Sequence, residues 1–266
     1  MSLTKKYPER QVETEDGVVA MTNERRVLVT GGARGIGRSI AEHLAENGWK
    51  VIATFNTGHD EAMELTRTHG VEVRQIDMTD RSALLDFARR IRTEFPFDAL
   101  VNNAGILEKE RFDEFTLDAW DRALEVNVTA PLILAQELGR HMGAGGSIVN
   151  IASTDAHIGS FRSIGYSASK AALLSVTRSL ANILGPRGIR VNAVTPGWVD
   201  SGIISESYEA ASLTPLGRNG APGDIASVVA FLLSPEAAFI TGASIVIDGG
   251  YSGVDYYMKQ ENDLLG

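Results

Sequence analysis

The feature that most constrains this chain is the alternation of short β-branched apolar runs with longer segments of helical period. Val27-Leu28-Val29-Thr30 reads as a strand, and residues 36–47 as an amphipathic helix stopped by Gly48. Further strands are predicted over 50–55, 71–76, 99–101, 147–151, 189–194 and 244–247. Helices are predicted between them, over about 59–68, after an N-capping Asp80, over 117–142, from Tyr166 to a Gly185-Pro186 stop, and over 224–233. Strands separated by crossover helices pair in parallel, and a parallel sheet needs helices on both faces. The pattern therefore predicts a doubly wound α/β fold of three layers.

At 266 residues, with 44% apolar and 22% charged side chains, the chain suffices for one large core, and it shows no repeat, low-complexity tract or linker. One domain is expected over 26–250. A loose polar extension (1–25) would precede it and a tail (251–266) would follow. The extension lacks the apolar core of a secretory signal, and no apolar stretch is long enough to cross a membrane. A net charge of -9 argues against a nucleic-acid or anionic-membrane partner. The absence of cysteine excludes disulfides, thiolate catalysis and cysteine-held metals, and suits a cytoplasmic location. The five histidines have no metal-ligand spacing, and no metal is expected.

Thr30-Gly31-Gly32-Ala33-Arg34-Gly35-Ile36-Gly37 falls between the first strand and the first helix. Glycines there let the backbone approach a pyrophosphate, whose charge the helix N-terminus then meets. This loop makes the fold a Rossmann fold built on a seven-stranded parallel sheet. The second strand ends Ala53-Thr54-Phe55-Asn56, with no carboxylate to bind a ribose 2′-hydroxyl or repel a 2′-phosphate. Arg34 is placed to meet such a phosphate. Both features favour NADP(H), with NAD(H) as the alternative, and Arg34 covering the adenine or facing solvent remains the bland reading.

Tyr166 and Lys170 are four residues apart, so they emerge on one face of a helix. An ammonium beside a phenol is expected to lower the phenol's pKa towards the range useful for proton transfer. Ser153 lies thirteen positions upstream, just past an apolar run. A tyrosine able to give or take a proton, beside a serine able to hold an oxygen, suits carbonyl/alcohol chemistry.

Together these motifs make the chain similar to the single-domain short-chain dehydrogenase/reductases over about residues 25–250. The likeness includes Asn102-Asn103-Ala104-Gly105, Asn127 in Val126-Asn127-Val128, Pro196-Gly197, Ile240-Thr241-Gly242 and Asp248-Gly249-Gly250. Pro215-Leu216-Gly217-Arg218 is shared with the 3-oxoacyl-carrier-protein reductase-like branch. The resemblance implies Ser153, Tyr166, Lys170 and Asn127 as the catalytic set, with Asn127 positioning a water from a kink in its helix. It implies cofactor contacts from Gly31, Arg34, Gly35, Ile36, Gly37 and Asn56. Asp77 and Met78 would border the adenine, and Asn103, Ala104 and Gly105 would line the path. Pro196, Gly197, Val199 and Ser201 would flank the nicotinamide, with Ser201 standing where the family usually has threonine. A homotetramer is implied, built through the Tyr166 helix, the helices before it, and the last helix and strand.

Residues 201–220, with Ile203, Ile204, Tyr208 and Leu213, are expected to cover a small-molecule substrate, and His157, Ile158 and Arg162 to line its mouth. The leading expectation is an NADP(H)-linked oxidoreductase moving a hydride between nicotinamide and a carbonyl or secondary alcohol. A 3-oxoacyl-carrier-protein reductase would need a basic docking patch, for which Arg140, Arg162 and Arg187 are few. A dinucleotide-sensing regulator without catalysis would be expected to lack the Tyr or the Lys. The tail carries three tyrosines and is expected either to pack on a neighbouring subunit or to fray.

Overall fold

A computed structural model describes residues 10–13, 19–22, 24–109, 111–202 and 210–265. Seven strands form one sheet: β3 (Arg25–Val29), β4 (Trp49–Phe55), β5 (Glu72–Gln75), β6 (Ala99–Asn102), β7 (Ser147–Ile151), β8 (Arg190–Pro196) and β9 (Ser244–Ile247). Their order is β5-β4-β3-β6-β7-β8-β9, and every pairing is parallel.

The strand pleat divides the core in two. Val27 and Val29 of β3 face α1 (Gly35–Glu46) and α7 (Pro222–Leu233), which supply Ile40, Leu44, Ile225 and Val229. Leu28, pointing the other way, shares its layer with Leu84 and Phe87 of α3 (Arg81–Glu94), Leu134 of α5 (Ala130–Gly139) and Leu184 of α6 (Ile164–Leu184). Alternating side chains from one strand thus serve both helical layers, which is why the buried run Val27-Leu28-Val29 is apolar at every position. Each of these buried apolar side chains contributes about 1.5–3 kcal/mol. A buried polar chain fixes β6, β7 and α6 together. Asn102 Nδ2 donates to Asn150 Oδ1 (2.8 Å), Asn150 Nδ2 to Thr177 Oγ1 (2.9 Å), and Thr177 Oγ1 to the Leu173 carbonyl (2.8 Å).

Three local features depart from the sequence expectations. The segment expected to be loose contains an antiparallel hairpin, β1 (Arg10–Glu13) paired with β2 (Val19–Thr22). The tail, for which the sequence pattern predicts no element, contains a helix, α8 (Tyr256–Leu265). The predicted 117–142 helical region is α4 (Leu117–Leu124) and α5 joined by a π-helical turn, Glu125–Thr129, in which the Ala130 N–H donates five residues back to Glu125. Pro131 supplies the cause. It has no N–H to give to Asn127, four residues earlier, and its ring crowds that carbonyl. The Asp80 cap is as expected, its carboxylate accepting from the Ala83 N–H at 3.0 Å.

Between β3 and β6 the strand order reverses direction, so the loops leaving these two strands diverge and open a crevice at the carboxyl edge of the sheet. Among the described residues no helix is long and apolar enough to cross a membrane, and no cluster of His, Asp and Glu is arranged to hold a metal.

Candidate active site

The floor of the crevice is the loop from β3 into α1. Gly31 has a φ of +64°, a conformation that strains any side chain. Gly37 has no room for one, since a Cβ would lie 2.2 Å from the Gly31 carbonyl oxygen and 2.4 Å from Asn103 Nδ2. Asn103 Nδ2 donates to the Thr30 and Gly31 carbonyls at 2.9 and 3.1 Å. Thr30 Oγ1 in turn accepts from the Asn103 and Ala104 N–H groups at 3.0 and 2.9 Å. On the other side the Gly32 N–H reaches the Thr54 carbonyl (2.8 Å) and the Gly31 N–H its hydroxyl (3.3 Å). Three strand ends therefore hold the loop. The first turn of α1 carries no acid, and Arg34 before it makes no side-chain cap, so the positive helix end is left for an anion.

One continuous cleft runs from this loop in both directions. Gly31, Arg34, Ile36 and Gly37 line its centre. Asn56, Asp77 and Met78 line the end under β4 and β5, and Asn103, Ala104 and Gly105 the side under β6. At the other end stand Ser153, Tyr166, Lys170, Pro196, Gly197, Val199 and Ser201. Gly35 is not on the wall; it packs against Ser201, whose carbonyl oxygen would lie 2.9 Å from a Cβ there. The Asn56 end has no carboxylate at the strand terminus, and the Asn56 carbonyl is held by Gln75 Nε2 at 2.9 Å. Asp77 Oδ1 accepts from the Thr79 N–H and hydroxyl, at 2.9 and 2.7 Å, which turns the loop that forms this end. Arg34 is exposed and makes no ion pair among the described residues. These observations fit a dinucleotide, with no carboxylate closing β4 and an unpaired guanidinium on the cleft wall.

At the opposite end Ser153 leaves β7 and opens a short turn, accepting from the Asp155 N–H at 3.2 Å. Its hydroxyl is close enough to the Tyr166 phenol to lower the phenol's pKa. Lys170 is buried, donates to the Ile151 carbonyl at 2.8 Å, and sits 5.5 Å from the centre of the Tyr166 ring. The electrostatics differ from the sequence expectation. Burial pushes the Tyr166 phenol up to about 12, with the Ser153 hydroxyl opposing and Asp155 adding to the rise. Burial also pulls the Lys170 ammonium down to about 8. Desolvation is the largest cause for both groups, since burial disfavours the charged form of each.

Asn127 stands behind the cleft wall. It is fully buried in the π-helical turn; its Oδ1 accepts from the Ile106 N–H (2.9 Å) and its Nδ2 donates to the Ile106 carbonyl (3.0 Å) and Ser169 Oγ (2.9 Å). Ser169 Oγ donates onward to the Tyr166 carbonyl at 2.7 Å. Asn127 thus ties the β6 loop to the helical turn that carries Tyr166. His157, Ile158 and Arg162 are exposed and none lines the cleft, contrary to expectation. Ile203, Ile204 and Tyr208 lie outside the described residues. Leu213 is exposed beside a short turn, Ala210–Leu213. Thr30 and Thr54 were not singled out from the sequence, although a threonine closing an otherwise apolar strand is a readable sign of a loop anchor. Phe55, Thr57, Ile76 and Leu107 also line the cleft without any such sign.

Comparison with known proteins agrees with this geometry. The family model described as enoyl-(acyl carrier protein) reductase matches residues 31–252. The chain is 37% identical to the cis-4-hydroxycyclohexanecarboxylate dehydrogenase of Sinomonas cyclohexanicum over 243 residues, 87% of this chain and 98% of that protein. It is 38% identical to the 3-oxoacyl-[acyl-carrier-protein] reductase FabG of Aquifex aeolicus over 236 residues, 84% of this chain and 95% of that protein. A short-chain dehydrogenase of Burkholderia cenocepacia, solved in complex with NADP, superposes with a TM-score of 0.80 at 38% identity, covering 86% of this chain and 98% of that one. With the match spanning nearly the whole sheet and its cleft, the chain belongs to the short-chain dehydrogenase/reductase family.

Proposed function

We propose that this chain is an NADP(H)-dependent oxidoreductase that interconverts a carbonyl and a secondary alcohol on a small-molecule substrate. The observation that carries this reading is the meeting of Ser153, Tyr166 and Lys170 at one end of a cleft whose centre is a glycine loop on a helix N-terminus. The α1 N-terminus would hold the pyrophosphate, Arg34 a 2′-phosphate, and Lys170 the ribose hydroxyls nearest Tyr166. Bound there, the dinucleotide supplies or takes up the hydride. The NADP in the Burkholderia cenocepacia structure supports the choice of cofactor.

Tyr166 gives its proton to the substrate oxygen in reduction and takes one back in oxidation. Ser153 donates a hydrogen bond to the same oxygen, where negative charge develops. A phenol pushed up to about 12 stays protonated near neutral pH, which suits the reducing direction. Asn127 fixes the backbone of both neighbouring segments, consistent with a place beside the proton path to Lys170.

Carrier-protein substrates are the second reading, favoured by the likeness to the Aquifex aeolicus reductase. Against it, the Arg187 guanidinium is spent on the carbonyls of Gly139, Arg140 and Met142, which leaves little basic surface for an acidic carrier. Assembly as a cytoplasmic homotetramer is part of the same proposal, supported by exposed Phe239 and Val246 on the open β9 side. Light scattering giving a monomer would remove the assembly.

The test is loss of NADPH absorbance with a panel of ketones and 3-oxoacyl thioesters. Tyr166→Phe is expected to lower turnover by about 10² to 10⁴ with cofactor binding kept. A variant with parental turnover would refute the role of Tyr166.

A further inference from the structure

The wall of the cleft formed by Pro196, Gly197, Val199 and Ser201 is gripped by the C-terminal segment from two sides. On the outgoing side, the Gly197 N–H donates to the Ile247 carbonyl at 3.0 Å. Gly197 lies so close to Asp248 that a Cβ would fall 2.6 Å from the Asp248 Cβ. Trp198 then meets Tyr251 edge-on, with centroids 6.4 Å apart and planes at 86°. Tyr251 meets Tyr256 of α8 at 6.2 Å, and Tyr256 Oη donates to the Tyr251 carbonyl at 3.4 Å.

On the returning side, the Leu216 N–H donates to the Gly249 carbonyl at 3.2 Å, and Pro215 packs against Gly250. The two arms are joined where the Gly220 N–H donates to the Trp198 carbonyl (2.8 Å) and the Asp200 N–H to the Gly220 carbonyl (2.9 Å). Asp248 holds the gripping segment in shape. Its Oδ1 accepts from the Gly250 N–H (2.9 Å), and its Oδ2 from the Ser252 N–H (2.7 Å) and hydroxyl (2.6 Å).

We propose that Tyr251 and Tyr256 are positioning residues for the Tyr166 end of the cleft, acting through Trp198 to set the wall from Pro196 to Ser201. The tail helix thereby tunes how the site holds the reactive half of its dinucleotide, while the adenosine half, under β4 and β5, is independent of it. This rests on the NADP(H) reading above. A ring pair of this kind corresponds to about a 2- to 12-fold change in binding.

The experiment compares the full-length parent with Tyr256→Ala and Tyr256→Phe. Dissociation constants are measured for NADPH and for adenosine 2′,5′-bisphosphate, with hydrogen exchange followed at the Gly197 and Gly220 amides. Tyr256→Ala is expected to weaken NADPH by that factor, leave the bisphosphate at its parental value, and speed exchange at both amides with the thermal midpoint kept. Tyr256→Phe, which keeps the ring, is expected to restore all of these. Parental NADPH binding in Tyr256→Ala, or equal weakening of both ligands, would overturn the proposal. If the parent binds neither ligand, the NADP(H) reading fails, and the exchange comparison then decides alone: unchanged exchange in Tyr256→Ala overturns the coupling, and faster exchange rescued by Tyr256→Phe upholds it.

Discussion

Replacing Lys170 by methionine separates what this side chain does for the site from what it does to the fold. The ammonium is buried and its pKa is depressed from 10.5 to about 8, by burial. At about 1.4 kcal/mol per pH unit this corresponds to about 3 kcal/mol of destabilisation when the group is charged. The sign follows from proton binding. Between pH 8 and 10.5 the unfolded chain holds more protons than the folded one, so parental stability rises with pH through that window. The penalty is complete below the folded value and absent above the unfolded one. Methionine fills a similar volume without the charge, at the loss of the Nζ bond to the Ile151 carbonyl, a contribution of about 1 kcal/mol that does not vary with pH over most of this range.

The stability difference, parent minus Lys170→Met, is therefore expected to move in the parent's favour by about 2–3 kcal/mol between about pH 7 and pH 10. Urea unfolding of both proteins across that range measures it. The series stops at pH 10 because Tyr166, pushed up to about 12 when folded, loses its own stabilising contribution as pH rises above the unfolded value of 10.0. A difference that stays flat from pH 7 to pH 10 would refute the reasoning, since it would mean the Lys170 pKa is the same folded and unfolded. Turnover is expected to be lost in the same variant.

Arg34→Ala removes the guanidinium from the cleft wall, and the ratio of kcat/KM for NADPH over NADH should fall by about tenfold or more, as for a charge-assisted hydrogen bond of about 1.5–3 kcal/mol; an unchanged ratio would mean that Arg34 does not meet the 2′-phosphate. Gly37→Ala forces the Gly31 carbonyl and Asn103 apart, with an expected stability cost of about 1–3 kcal/mol and weaker NADPH binding, read by thermal unfolding and calorimetry. Asp155→Asn takes away a charge that raises the Tyr166 pKa, so the ascending limb of alcohol oxidation, set by loss of the phenol proton, should shift to lower pH in a rate profile.

How much of this was readable in the chain depends on how local the cause is. The sheet was legible because strands buried on both faces carry short continuous apolar runs, as in Val27-Leu28-Val29, which need no knowledge of their partners. The β1–β2 hairpin and α8 were not, because Arg-Gln-Val-Glu and Tyr-Tyr-Met-Lys-Gln carry no such run. At the site, the spacing of Tyr166 and Lys170 gave their proximity, whereas the direction of their pKa shifts depends on packing from β7 and its following turn. The partners of Asn127 on Ile106 and Ser169 are twenty-one and forty-two residues away, beyond any local pattern. The kink at Asn127, which is the π-helical turn, followed only from the family resemblance; its physical cause, Pro131, lies four residues further on.

That turn also sets a rule for how the chain can change length. A π-turn holds one residue more than the α-helix it interrupts, and each helical residue advances the phase by about 100° and about 1.5 Å. The extra residue is taken up within Glu125–Thr129, so α4 and α5 keep nearly the phase of one continuous helix. Deleting one residue there would restore the uninterrupted α-helical count, whereas a further insertion with nothing to absorb it would turn α5 by about 100° against α4. Ile133, Leu134 and Leu138 would then swing off the sheet, and Glu137 would be carried away from Arg89 and Arg92. The segment behaves as a slack link: it takes up one residue of length, and only a further change of length is read by every residue downstream to the end of the helix.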